Sequence, residues 1–349
     1  MSDTVEGSAA DLPGPPGGTP GGGNGLPAAL RRSAAAFVQQ REATILVVAI
    51  ALVIYFRVAG PNFFTKLNID NISQAAAPLA IIAIGEVMLL VCGEMDLSVG
   101  FVWVLSPFLM HYFHDFWGVP VIPAILLALI GGALIGFING FVVVYFKVPA
   151  FITTLGTSLA VDGLMLTTSH AYPAQIPKDA EGIGHWIGTY AWAEISWAVA
   201  LVIVFHTILT RTRWGLHTIS VGGNLLGASE AGINVARIKV GNFMLTSTLG
   251  AFVGIMEAFR NNTIDPSAGG YQPMFYAMAA AVIGGTAMAG GSGTIAGALL
   301  GALVLGILQD GFNLIGISAN PYNIILGVAI IVAMIANTYL ARLRRAGRA

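Results

Sequence analysis

Apolar runs of about twenty residues recur along most of this chain, and that recurrence restricts it to very few folds. The runs fall at roughly 43–59, 73–92, 97–113, 121–145, 150–169, 192–210, 240–260, 273–289, 295–314 and 321–341. A bilayer core is crossed by ~20 residues of helix, so each run is long enough or nearly so. The expected class is an all-α polytopic membrane protein of about ten transmembrane helices. Composition agrees: 56% of residues are hydrophobic and only 9% charged, against roughly 25% charged in soluble domains. The second, third, eighth and ninth runs are short or glycine-interrupted, which points to kinked, broken or re-entrant helices rather than straight ones.

The same numbers narrow the function classes. A formal net charge of −1 gives no basic surface for nucleic acid. The single cysteine, Cys92, cannot form an internal disulfide, and no metal-ligand spacing surrounds it. The six histidines are scattered without an HExxH pattern. Neither a metal nor another cofactor is expected in this chain.

Residues 1–40 read differently. Leu12 to Gly18 and Gly21 to Gly25 are rich in glycine and proline and cannot build a core, so this segment is expected to be a disordered tail. The polar lead before the first apolar run is too long for a secretory signal, which leaves that run as an uncleaved span. The membrane domain is expected at 41–341 and a basic end at 342–349.

Lys and Arg near span ends set the orientation. Arg31, Arg32 and Arg41 precede the first span, and Lys147 follows the fourth. Arg211, Arg213, Arg237 and Lys239 flank a long loop at 211–239, and Arg342, Arg344, Arg345 and Arg348 end the chain. With ten spans all of these share one face, expected to be cytoplasmic along with both termini. Arg57, Lys66, Lys178 and Arg260 form the minority on the other face. Glycines at four-residue spacing, Gly132, Gly136 and Gly140 and then Gly297 and Gly301, predict close helix packing. The two series precede similar Pro-containing junctions, which suggests an internal repeat of about four spans, 73–169 and 240–341, in inverted orientation.

Three segments carry candidate chemistry. Gly93 to Gly100 (GEMDLSVG) places polar groups between two apolar runs. Polar side chains at membrane depth must line a cavity or satisfy backbone, and transporters break helices near their binding sites. The simpler role for Asp96 is to cap the third span. The 211–239 segment holds a run from Leu225 to Ala231 bounded by Asn224 as N-cap and Gly232 as C-cap, a compact knob suited to docking a cytoplasmic partner. Ala281 to Thr294 is glycine-rich but lacks the lysine of a nucleotide loop, so it reads as a tightly packed turn. Aromatic residues between 170 and 192 fit an interfacial belt or a docking surface.

Together these pieces resemble the permease subunits of ribose/xylose/galactoside-type ATP-binding-cassette importers, in the wider family of branched-chain amino-acid and sugar permeases. The matching stretches are Gly93 to Gly100, Val148 to Gly156 (VPAFITTLG), Gly222 to Asn224 with Gly232 to Val235, and Ile283 to Thr286 with Gly290 to Thr294. The likeness covers about 65–340; Glu94-Met95 departs from the Gly-Ile more usual there. It implies a permease in the bacterial inner membrane that works with a second permease copy or paralogue, cytoplasmic ATPase subunits that hold ATP and Mg, and an extracytoplasmic sugar-binding protein. By the same likeness Gly223, Asn224, Ala228, Glu230, Ala231, Gly232, Ile233 and Arg237 form the element that couples to the ATPase. The candidate pathway residues are Asp96, Ser98, Asn139, Phe151, Thr153 and Thr154, whose hydroxyl and aromatic groups suit a neutral polyol. An ion-coupled carrier using Asp162, Glu257 and Asp310, and an amino-acid permease of the same fold, remain as alternatives.

Overall fold

The computed structural model describes residues 41–316 and, beyond them, 323–325, 327–328, 331–332 and 335. The expected tail at 1–40, the basic end at 342–349 and most of the expected span at 321–341 lie outside the described residues. Within these bounds the fold is helical apart from one two-residue strand pair. The helices run α1 (Arg41–Ala59), α2 (Lys66–Val91), α3 (Val99–His111), α4 (Val121–Tyr145), α5 (Ala150–Ser169), α6 (Glu181–Ile187), α7 (Ala191–Arg211), α8 (Arg213–Gly223), α9 (Leu225–Glu230), α10 (Val235–Asn261), α11 (Tyr271–Ile283) and α12 (Ile295–Leu314).

Seven of these, α1, α2, α4, α5, α7, α10 and α12, are long and apolar enough to cross a membrane among the described residues. Two expected spans take another form. The third becomes α3, whose 13 α-helical residues continue directly into a π-helical turn at Tyr112–Phe116, and the eighth becomes α11, of 13 residues. At 1.5 Å per residue α11 reaches about 20 Å, short of the ~30 Å hydrocarbon core. Both are preceded by irregular backbone, and the eighth had absorbed glycine-rich residues that are apolar in composition but not helical. The 211–239 segment, expected as a loop around one knob, is mostly helical, as α8 and α9 show.

α2 is the axis of the bundle. Its sequence is apolar on every side, and 89% of its most apolar window is buried, against 22% for α1 at the rim. It starts on the Thr65 side chain, which accepts from the Asn68 N–H, and packs against α7, α10, α11 and α12.

Glycine sets the closest approaches. A Cβ on Gly136 of α4 would lie 2.7 Å from the Met244 Cα of α10, and one on Gly140 2.7 Å from the Val240 Cα, so α4 and α10 meet backbone to backbone. Gly301 of α12 likewise faces the Ala280 backbone of α11. The glycine-rich 284–294 segment folds as the expected tight turn: Gly290 and Gly291 have φ of +84° and +75°, and the Gly291 N–H donates to the Val91 carbonyl at 2.8 Å.

α3 and α11 meet at their N-termini. The Gly270 N–H donates to the Gly100 carbonyl at 2.9 Å, and the Phe101 and Tyr271 rings lie edge to face with centroids 4.8 Å apart. At the end of the bundle away from α9, β1 (Ala174–Gln175) pairs antiparallel with β2 (Thr263–Ile264) and ties two long connections together.

Candidate functional site

The Gly93–Gly100 break is built around a buried carboxylate. Asp96 Oδ1 accepts from the Ser98 N–H at 2.8 Å and from the Ser98 hydroxyl at 2.6 Å, and Oδ2 accepts from the Ser247 hydroxyl of α10 at 3.1 Å. Asn139 of α4 donates to the Ser98 hydroxyl at 2.8 Å and accepts from Thr157 of α5 at 2.6 Å. Thr154 accepts from the Leu97 N–H at 3.1 Å. Asp96, Ser98, Asn139 and Thr154 are fully buried, so the network joins α3, α4, α5 and α10 around the break.

This corrects the cap expected of Asp96. The N-cap position of α3 is Ser98, and its side chain makes no capping bond. Asp96 instead closes a two-residue side-chain turn ahead of the helix. Of the other candidate pathway residues, Thr153 is buried with its hydroxyl unpartnered among the described residues, and Phe151 is half exposed on the outer surface of α5, away from the network.

The α9 knob forms as its sequence dictates. Asn224 accepts from the Gly227 N–H at 2.9 Å. At the other end Gly232, with φ +79°, lets the Ile233 N–H reach the Ala228 carbonyl and its own N–H reach the Ser229 carbonyl, both at 3.0 Å. That pair of bonds is the Schellman closure. Asn234 then caps α10 through the Arg237 N–H at 2.9 Å. Ala228 and Ile233 pack on a small apolar cluster with Val143, Val221, Ile238 and Phe243. Outward, Gly223, Asn224, Glu230, Ala231, Gly232 and Arg237 are exposed, and Leu226 is 72% exposed. An exposed leucine on a short, doubly capped helix is a contact surface without a cost in fold stability.

Knob and break are joined by charge. Lys239, in the first turns of α10, pairs with Glu94 of the break, and both side chains are largely buried. The pair ties the break at Gly93–Gly100 to the start of α10.

A second polar region shows in the sequence only as scattered charges, Glu257, Arg260 and Asp310. Two cavities of about 340 and about 300 Å3 adjoin at the end of the bundle away from the knob. Gln74 is seventeen residues up α2 from Val91, or about 25 Å. Gln74 and Ala75, Arg260 of α10 and Gln309 of α12 line both cavities, which are therefore lobes of one chamber. Asn71, Asp310 and Asn313 complete the first lobe; Trp103, Glu257, Gln272 and Tyr276 contribute to the second. Polar side chains inside runs otherwise long and apolar, Gln309-Asp310 above all, were the available signal. Asp162, grouped earlier with Glu257 and Asp310, is on α5 and lines neither lobe.

A family profile described as branched-chain amino acid transport system / permease component matches residues 68–334. The chain is 36% identical over 315 residues to a xylose/arabinose import permease protein of Sulfolobus acidocaldarius, covering 87% of each. It is 34% identical over 306 residues to the ribose import permease protein of Escherichia coli, covering 85% of this chain and 93% of that one. A fructose import permease protein of Rhizobium meliloti is 29% identical over 314 residues, covering 85% of each. No solved structure matches.

Proposed function

The chain belongs to the branched-chain amino acid transport system permease component family, and on that premise we propose that it is the membrane subunit of an importer that moves a monosaccharide or related polyol into the cytoplasm. The observation that carries the sugar assignment is the set of relatives named for xylose/arabinose, ribose and fructose import, aligned over at least 85% of this chain. The sequence holds no nucleotide-binding motif, so the work of ATP hydrolysis belongs to partner ATPase subunits carrying ATP and Mg. A second permease copy or paralogue and an extracytoplasmic sugar-binding protein complete the assembly.

In this reading α9 is the coupling knob, on the cytoplasmic face that the Lys/Arg distribution assigns, with both termini on that face. Leu226 and the exposed Glu230 and Ala231 meet the ATPase, while Ala228 and Ile233 transmit its displacement to the bundle. The Asp96 network lies along the pathway at the broken helix, and rocking of the bundle alternates access. A count of ten spans treats α3 with its π-helical extension, and α11 with its flanking loop, as one crossing each. The N-to-N meeting of α3 and α11 suits the two copies of an inverted repeat, 73–169 and 240–341.

The family description itself names branched-chain amino acids, and Glu257 and Asp310 line the chamber where an ion relay would need them. Amino-acid import and ion-coupled transport are therefore the competing readings. Mild-detergent purification from the native host, with mass spectrometry of what accompanies the chain, tests the assignment. Recovery of a Walker-motif ATPase and a soluble sugar-binding protein is expected. Recovery of the chain alone, active in liposomes without ATP, would replace the importer with an ion-coupled carrier.

A further inference from the structure

α7 turns one long side outward. Trp192, Ser196, Val199, Ile203, Thr207 and Thr210 recur at three- and four-residue spacing and are all exposed. Each hydroxyl among them turns onto the carbonyl four residues before it: Ser196 onto Trp192, Thr207 onto Ile203 and Thr210 onto His206, at 2.6–2.8 Å. Water would pair those donors, whereas in hydrocarbon they must be paired within the helix. Trp192 stands at one end of this side, beside Trp186 and Tyr190, as in the aromatic belt of a membrane interface. Arg211 ends the helix nineteen residues on, about 28 Å along the axis and close to the ~30 Å of a hydrocarbon core. Arg211 therefore lies at headgroup level in the opposite leaflet.

The chain changes direction there. Thr212 is extended, and α8 begins at Arg213 with Gly215 so close to α7 that a Cβ would clash with the Ile208 and Leu209 carbonyls. α8 is held from its inner side: Trp214 Nε1 donates to Asn242 Oδ1 of α10 at 2.9 Å, and Gly215, Thr218 and Val221 are buried. Its first turn leaves Arg213 and Leu216 outside, the leucine 61% exposed.

Arg211 and Arg213 are both exposed, and neither pairs with a carboxylate among the described residues. The C-terminus of α7 favours Arg211 through the helix dipole, but Arg213 sits at the positive end of α8, where the dipole opposes it. Its placement is not a device of the helix, and the charge calls for an anion from outside. Two unpaired guanidinium groups offer forked donors to phosphate, and the exposed leucine beside them suits the acyl boundary. A pair of cations favours a headgroup with net negative charge over a zwitterion that carries its own amine.

We infer that the corner between α7 and α8 is a docking site for an anionic phospholipid, with Arg211 and Arg213 on its phosphate and Leu216 against its acyl chains. The orientation proposed above puts this lipid in the cytoplasmic leaflet; the headgroup chemistry does not depend on that reading. α8 ends at Gly223, and Asn224 begins the α9 knob, so the lipid steadies the helix on which the knob is mounted.

Two measurements on the full-length chain test it. In nanodiscs of phosphatidylcholine, with or without a share of phosphatidylglycerol, hydrogen exchange of the α8 amides is followed. Phosphatidylglycerol is expected to slow that exchange several-fold in the native chain. An Arg211→Gln/Arg213→Gln double variant is expected to lose the response while keeping the native Tm, since both side chains are exposed. In detergent, native mass spectrometry follows retention of phosphatidylglycerol against phosphatidylcholine. The double variant is expected to hold phosphatidylglycerol about thirtyfold more weakly, roughly fivefold for each arginine, and Arg211→Lys/Arg213→Lys to keep most of the affinity. Equal exchange in the two lipids, or native phosphatidylglycerol affinity in the glutamine variant, would overturn the site. Loss of ATPase co-purification by that variant in lipid-free detergent would also overturn it, by assigning the arginines to the ATPase. The exchange and retention readouts involve no transport, so the lipid site and the importer reading fail separately.

Discussion

Replacing Asp96 separates a carboxylate needed for its shape from one needed for its charge. In Asp96→Ala, the Ser98 N–H, the Ser98 hydroxyl and the Ser247 hydroxyl lose acceptors at 2.8, 2.6 and 3.1 Å. The hydroxyls can turn toward other acceptors, but the backbone N–H cannot. Hydrogen bonds to a charged group contribute about 1.5–3 kcal/mol each, and an orphaned buried donor costs about 1–3 kcal/mol. A loss of about 4 kcal/mol is therefore expected, a large share of the stability of an ordinary domain. In Asp96→Asn the amide oxygen keeps both bonds to Ser98, and the new amide N–H can donate to Ser247, whose hydroxyl turns to accept. Only charge assistance is lost, about 1 kcal/mol. Cys92 supplies the assay: it is the one cysteine, it is free and buried, and it is four residues from Asp96. A thiol-reactive fluorogenic dye followed through a thermal ramp reports its exposure. Asp96→Ala is expected to lower Tm by about 10 °C and Asp96→Asn by a few degrees. Equal damage from both would show that the ionised charge matters, not the acceptor geometry. A native Tm for Asp96→Ala would remove the network from the account of the break.

Three further outcomes follow from other parts of the bundle. Leu226→Asp on α9 is expected to reduce co-purification of the ATPase at least tenfold while Tm holds, since Leu226 is 72% exposed; undiminished capture would take the knob out of the docking surface. Glu94→Lys buries two like charges against each other and is expected to abolish uptake, and Lys239→Glu in the same chain to restore much of it; a double variant no better than the worse single would deny the coupling through this pair. Gly136→Ala is expected to destabilise by about 1–3 kcal/mol because its Cβ meets α10 backbone, whereas Gly156→Ala, with nothing within 4 Å, is expected to be neutral or slightly stabilising; thermal ramps of the two in parallel check the contrast, and equal Tm values would contradict it.

How much of this was readable in advance depended on whether the signal was local. Apolar length gave the long helices, and the knob was legible because its caps, Asn224 and Gly232, adjoin the turn they close. The break at Gly93–Gly100 was visible as polar residues between apolar runs. Asn139 was legible too, as a pathway candidate, but Ser247, which donates to Asp96 from α10, and Thr157, which donates to Asn139 from α5, were not, because each alone looks like an ordinary small polar residue in a span. The eighth run was legible as short and glycine-interrupted, but the point where α11 stops was not, because Gly284 to Gly291 continues its apolar composition while abandoning its backbone geometry. The chamber was harder still. Asn71, Gln74, Arg260 and Gln309 come singly from α2, α10 and α12, and only packing makes them a lining. Glu94 was legible as a departure, but its buried partner Lys239, 145 positions on, was not.

The central claim is that this chain imports sugar only when a separate ATPase drives it. Its most direct test is uptake of labelled xylose, arabinose, ribose and fructose into liposomes holding the permease with its ATPase and binding protein, with ATP and with a non-hydrolysable analogue. Accumulation of at least one sugar with ATP and none with the analogue is the result expected. Sugar accumulation driven by an imposed ion gradient with the ATPase left out would contradict it.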